Sequence, residues 1–236
     1  MKQINLNGVW SLQYCDPREG ERMGWPVTGV AGREAIAACV PGDVHLDLVA
    51  AGQIEEPLHG CNALSCRWME EKDWWYSREF EVPPDFFGDR MELYFAGLDT
   101  TADIWLNGQY VGHHNNMFVP YTVDVTHALH EGHNRLVVRL DVGLRAAADK
   151  ESEKYSRMGG FDIKAPRVWI RKAQFTFRWD WAPRLLTCGI WREVELRSYE
   201  RVALRDVCWR TSLQKDGSAQ VLALVELENL TNQTQS

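Results

Sequence analysis

The sequence predicts an all-β chain, a β-sandwich or jelly roll, and three observations carry that expectation. Short alternating or β-branched runs recur along the chain between turn residues. The dipeptide Asn107-Gly108 separates two such runs, which is the pattern of a two-residue hairpin. No series of helical segments lies between the runs to act as the crossovers that a parallel sheet requires.

The elements follow in order. Residues 9–14 alternate after Asn7-Gly8, and residues 74–82 form an aromatic and β-branched run stopped by Pro83-Pro84. Residues 90–95 read as the next strand, and 102–106 and 109–112 flank the Asn107-Gly108 turn. Residues 121–125, 135–142, 173–177, 191–197, 207–211 and 219–227 complete the series. Residues 43–51, opened by a cap at Asp43 and closed by Gly52, read as the single helix. Residues 143–164 contain a charged run and Gly159-Gly160, have no strand period and read as a long loop.

A domain boundary is expected between residues 199 and 205, dividing a first domain, 1–200, from a second, 201–236. The second part holds two or three strands. That is too few for an independent sheet, so the chain is expected to stop inside its second domain.

Hydrophobic residues make up 45% of the 236 and charged residues 25%, the balance of a soluble globular protein. Eleven tryptophans depart from it, and core filling is expected to account for most of them. A formal net charge of −7 offers no basic field for nucleic acid or anionic membrane. No apolar run approaches the roughly 20 residues of a membrane span, and the opening MKQINLNGVW lacks the apolar stretch of a signal peptide. With Met1 as the start, a cytoplasmic location is expected. The six cysteines, Cys15, Cys39, Cys61, Cys66, Cys188 and Cys208, form no CxxC pair and read as free thiols. The sequons at Asn229 and Asn232 carry weight only in a secreted protein.

Each candidate for chemistry has a plainer alternative. His127, His130 and His133 recur at every third residue, yet they sit with Gly132 and Asn134 in a turn-like stretch, so no metal site is expected. His113-His114 add nothing to that set. No G-x-S-x-G elbow occurs, and Met158-Gly159-Gly160 lacks the lysine of a phosphate loop. Neither a catalytic residue nor a cofactor is therefore expected. Glu55-Glu56 and Glu70-Glu71 read as surface charge.

The segment that stands out is Arg178-Trp179-Asp180-Trp181-Ala182-Pro183. An acid between two indoles suits a pyranose, whose hydroxyls donate to a carboxylate while its C–H faces rest on aromatic rings. A core loop, with the acid capping its own backbone and the indoles packed inward, explains the pattern equally well.

The runs ADIWLNG at 102–108, Val111-Gly112, Pro120-Tyr121, Val123-Asp124-Val125-Thr126 and Asn134-Arg135-Leu136 resemble the N-terminal jelly roll of glycoside hydrolase family 2. The β-mannosidase subgroup is resembled by Val40-Pro41-Gly42-Asp43-Val44-His45, by Trp74-Trp75-Tyr76, and by Arg171-Lys172-Ala173-Gln174 leading to the Trp-Asp-Trp segment and Gly189-Ile190-Trp191. The resemblance covers residues 6–198 and implies a galactose-binding-like jelly roll, followed by the beginning of an immunoglobulin-like sandwich. It also implies a retaining, exo-acting parent enzyme that removes terminal β-mannose from oligosaccharides, with two glutamates in a further TIM barrel that would be this chain's partner. In that setting Asp180 would contact hydroxyls of the terminal sugar, with Trp179 and Trp181 shaping the loop. The family usually has Gly before the first Trp and after the second; here Arg178 and Ala182 stand there. A positive φ at either position would now fall on a residue with a Cβ. Two other roles fit the same resemblance: a stand-alone carbohydrate-binding module, or a structural brace of another family 2 glycosidase.

Overall fold

The computed structural model describes residues 1–30, 32, 34–150 and 167–231. Among them twelve strands form three antiparallel sheets. They are β1 (Lys2–Asn5), β2 (Gly8–Cys15), β3 (Ile36–Val40), β4 (Asp73–Val82), β5 (Arg90–Phe95), β6 (Thr101–Leu106), β7 (Gln109–His114), β8 (Tyr121–Asp124), β9 (Gly132–Asp141), β10 (Val194–Tyr199), β11 (Val202–Leu213) and β12 (Ala219–Asn229). A six-stranded sheet runs β3-β2-β4-β9-β6-β7 and a four-stranded sheet runs β1-β10-β5-β8, while β11 and β12 pair only with each other.

The core lies between the two larger sheets, and the period-two pattern builds it. Trp74, Tyr76, Phe80 and Val82 of β4 and Leu136, Val138 and Leu140 of β9 face Met91, Leu93 and Phe95 of β5 and Val194 and Leu196 of β10. The alternate residues of the six-stranded sheet form a second layer on its outer face. There Trp75 stacks on Trp105 at 5.3 Å between ring centroids and meets Trp25 edge-on at 5.7 Å. Residues 16–30 cover this layer. A Cβ on Gly20 would lie 2.4 Å from the Trp75 ring, so only glycine permits that approach.

The outer layer also carries a charged row. Arg139 bonds to Asp103 (3.1 Å from Nε), Asp73 (3.0 Å) and Asp141 (2.9 Å), and Arg145 joins the latter two. His113 completes the row through Asp103, at 2.7 Å.

Most of the expected strands are present, and Asn107-Gly108 turns at φ +53° and +81°, the signs of a type I′ hairpin. The helix Val44–Ala50 begins where expected, with the Asp43 carboxylate accepting the His45 N–H at 2.9 Å. The strand expected at 173–177 is instead a 3₁₀ turn, Gln174–Phe177. The Ala173 carbonyl accepts both the backbone N–H (3.1 Å) and the hydroxyl (2.7 Å) of Thr176, which closes the backbone locally instead of offering it to a neighbouring strand. Two strands lack an expectation, the polar β1 and the alanine-rich β3, whose compositions give little β signal. The loop expected over 143–164 opens with a short helix, Leu144–Ala147, and from 151 onward lies outside the described residues, as do Met158-Gly159-Gly160 and the Asn232 sequon.

Core filling accounts for six of the eleven tryptophans, the majority expected. Trp10, Trp74 and Trp75 are buried, and Trp25, Trp68 and Trp105 pack partly buried against the cores. Trp169, Trp179, Trp181 and Trp209 are exposed. His127, His130 and His133 lie exposed around the connection from β8 to β9, with His133 3.4 Å from Glu81.

The β11–β12 hairpin is attached to the four-stranded sheet by charge. Arg205 bonds to Glu92 at 2.7 and 2.9 Å and to Glu228 at 2.7 Å, and Arg90 bonds to Glu228 at 2.7 Å. Trp209, Leu213, Val221, Leu222, Val225 and Leu227 are exposed on it.

Candidate functional site

The three residues singled out by sequence sit together at the tip of one turn. Trp179 and Ala182 form an isolated antiparallel bridge, closed by the Ala182 N–H on the Trp179 carbonyl at 2.6 Å. Asp180 takes the first central position at φ +43°, a conformation that aspartate tolerates better than most residues. Trp181 is 89% exposed and Trp179 55%, so neither indole packs inward as a core loop would require. Asp180 is exposed as well, and among the described residues it makes no hydrogen bond or ion pair.

This tip stands on a buried platform. The Lys172 side chain is fully buried, with its ammonium 2.5 Å from both Asp99 oxygens, 2.6 Å from the Thr187 carbonyl and 3.0 Å from the Thr187 hydroxyl. The Thr187 hydroxyl bonds to Asp99 in turn, at 2.6 Å. A buried pair of this kind is held by satisfying every proton and lone pair, because either charge left alone is costly. Gln174 sends its side-chain amide back to the carbonyls of Arg167, Ile170 and Lys172, at 3.2 to 3.3 Å.

The second support comes from residues 40–45. The Asp43 carboxylate caps the helix with one oxygen and accepts the Cys188 N–H at 2.8 Å with the other. The Gly42 and Val44 N–H groups bond to the carbonyls of Ile190 and Cys188, each at 2.9 Å. Gly189 lies so close beneath that a Cβ there would meet the Gly42 carbonyl at 2.6 Å. The segments that resembled the mannosidase subgroup, 40–45, 171–174 and 189–191, therefore meet in one buried node under the Trp-Asp-Trp tip. Sequence assigned no such role to Lys172 or Asp43; partners 73 and 145 residues away supply it.

The tip forms one wall of a cleft of about 510 Å³, lined by Arg178, Asp180, Trp181, Ala182, Pro183 and Arg184 and, opposite, by residues of 57–67. Glu70 holds the two walls together. It bonds to Arg184 Nε at 3.0 Å and to Arg67 at 3.3 Å, and its side chain is only 11% exposed. The expectation of surface charge at Glu70 is thus corrected: the residue lies in a 3₁₀ turn, Arg67–Glu71, and one partner is 114 residues downstream. The three-residue spacing of Arg67 and Glu70 was the signal available in the sequence.

Of the two positions where the family usually has glycine, one falls at positive φ. Arg178 has φ +94° and ψ 130°, while Ala182 lies outside the positive-φ set. Holding a residue with a Cβ there costs of order 1–3 kcal/mol. No bond joins Arg178 to Asp180 among the described residues.

A second cleft, of about 530 Å³, opens over β2 and β4 beside Ser77, Arg78, Glu79 and Arg135. Several of its polar groups bond within the protein: Ser77 to Val30, Arg78 Nη1 to the Asn7 carbonyl, and Arg135 to Glu79.

Comparison with known proteins places this geometry in context. The family model for the glycosyl hydrolase 2 galactose-binding domain-like region matches residues 25–192. The chain is 40% identical over 234 residues to "Beta-mannosidase B" of Neosartorya fischeri, covering 98% of this chain and 26% of that protein. It superposes on the "Beta-D-Mannosidase from Dictyoglomus thermophilum" with a TM-score of 0.82 at 34% identity, covering 97% of this chain and 26% of that one. The β-glucuronidase of Ruminococcus gnavus, at 18% identity and a TM-score of 0.66 over 96% of this chain and 34% of its own, shares the fold alone. The chain spans about a quarter of the length of the curated relatives it matches.

Proposed function

The chain belongs to the glycosyl hydrolase 2 galactose-binding domain-like family, and from that premise we propose that it is the N-terminal part of an exo-acting, retaining β-mannosidase. In this reading a separate catalytic barrel carries the two carboxylates that break the bond, and this chain supplies a wall of the subsite for the terminal mannose. Asp180 accepts hydrogen bonds from hydroxyls of that sugar. Trp179 and Trp181 flank it and exclude water, which strengthens a charge-assisted bond.

The observation that carries the reading is the exposed carboxylate, unpaired among the described residues, at the tip of a turn whose base is buried. An acid serving its own loop would be capping a backbone N–H, as Asp43 and Asp124 do. The expected cytoplasmic location belongs to the same proposal, supported by six cysteines that are all free thiols, and cell fractionation tests it.

Changing Asp180 to Ala in the full-length enzyme lowers kcat/KM on an aryl β-mannoside by about 2–4 kcal/mol, the loss of charge-assisted bonds made to the reacting sugar. Unchanged kinetics remove Asp180 from the subsite. The isolated chain hydrolyses no aryl β-mannoside, because both catalytic carboxylates are assigned to the barrel.

A further inference from the structure

The cleft beside Asp180 has a charge pattern that a neutral sugar does not require. Three arginines line it, Arg67, Arg178 and Arg184, in a chain whose formal net charge is −7. Arg67 and Arg184 share one carboxylate, Glu70, at 3.3 and 3.0 Å, so that cluster retains one positive charge. Arg184 is further fixed with its guanidinium 5.5 Å from the centre of the Phe177 ring. Glu56, which precedes the opposite wall, turns back on its own loop to accept the Leu58 N–H at 3.2 Å.

Arg178 is the free member of the set. It is exposed, and among the described residues its side chain has no hydrogen-bond or ion-pair partner. Its backbone is held at φ +94° by the bond from its N–H to the Phe175 carbonyl at 3.1 Å. A guanidinium is a planar fork that matches a carboxylate, phosphate or sulfate with two parallel bonds, and it is poorly matched to an isolated hydroxyl.

Resting on the reading of this cleft as a saccharide subsite, we propose that it selects saccharides bearing an acidic group, a carboxylate or a phosphate or sulfate ester, with Arg178 as the specificity-determining residue. Arg67 and Arg184 supply the positive background that lowers the cost of bringing the anion past Asp180. Asp180 itself binds hydroxyls and leaves the acidic group to Arg178.

The test uses the full-length enzyme and two matched pairs of substrates, each differing only in charge. One pair is an aryl β-mannoside and its 6-phosphate, which places the anion on the terminal ring. The other is β-mannosyl-glucuronic acid and its uronamide, which places it on the next ring. In one of the pairs, the acidic member is favoured in kcat/KM by about tenfold at low salt, the scale of one partly exposed charge-assisted bond. Arg178→Gln abolishes the preference, Arg178→Lys retains most of it, and raising ionic strength from about 0.05 to 0.5 M shrinks it. A merely structural role for Arg178 would change both members of a pair equally. Equal rates within both pairs, or a preference that survives Arg178→Gln, overturn the inference while leaving the mannosidase reading intact. Failure of the wild-type enzyme to turn over any β-mannoside overturns that reading and this inference with it.

Discussion

The segment from 171 to 190 contains two regions built on opposite physical terms. At its ends, Lys172, Thr187 and Cys188 are locked to Asp99 and Asp43, with every strong polar group answered inside the protein. Between them, residues 178–182 hold two positive-φ residues, two exposed indoles and a carboxylate unanswered among the described residues. The buried half is organised for its own stability, while the exposed half leaves polar capacity unused. Preorganised sites are built this way, because a carboxylate bound to its own backbone has fewer lone pairs to give a substrate and a loop without a fixed base cannot aim one.

The largest effect that would break this comparison lies in the buried half. Lys172→Met leaves Asp99 buried without its cation and is expected to destabilise the fold by about 3–5 kcal/mol, read as a shift in urea midpoint. A change below about 1 kcal/mol would mean that the platform is not the anchor described.

Asp47 sharpens the comparison from outside that segment, since it lies on the helix that Asp43 caps and is a buried acid left incompletely answered. It is 4% exposed, one oxygen accepts the Cys39 N–H at 2.9 Å, and the other has no partner among the described residues. Burial, with Asp43 adding to it, pushes its carboxyl up from 3.8 to about 6. Because the folded value lies above the unfolded one, the resulting stability is fully present below about pH 4 and is lost as pH rises through 6. Asp47→Asn is expected to remove that part of the pH dependence and to raise Tm at pH 7. Thermal melts from pH 4 to 7 showing the same slope in both proteins would contradict it.

The smallest effect belongs to the exposed half. Arg178→Gly relieves a side chain held at φ +94°, but the greater freedom of glycine in the unfolded chain offsets much of that gain, so the net change is expected to be about 1 kcal/mol or less, in the stabilising direction, as measured by denaturant unfolding. A clear loss of stability would show that Arg178 braces the turn.

The two regions also differ in how far the sequence revealed them. Alternation along β4 and β9 and the Asn107-Gly108 turn made the sandwich legible, because both signals are local. The tip was legible for the same reason, as its acid and two indoles are consecutive. The platform was not. Lys172 meets Asp99 across 73 residues and Asp43 meets Cys188 across 145, and nothing at either end announces the other. Residues 173–177 misled because Phe and Thr favour strands, whereas the Thr176 hydroxyl closed a turn on Ala173 instead.

The central claim is that Asp180 bonds directly to the terminal sugar, and a double-mutant cycle in the full-length enzyme tests it most directly. Asp180→Ala would be measured against aryl β-mannosides lacking one hydroxyl at a time, with kcat/KM as the readout. If the claim holds, removal of the contacted hydroxyl costs the wild type about 1.5–3 kcal/mol and costs the variant almost nothing. Equal losses in both proteins for every deoxy sugar would contradict it.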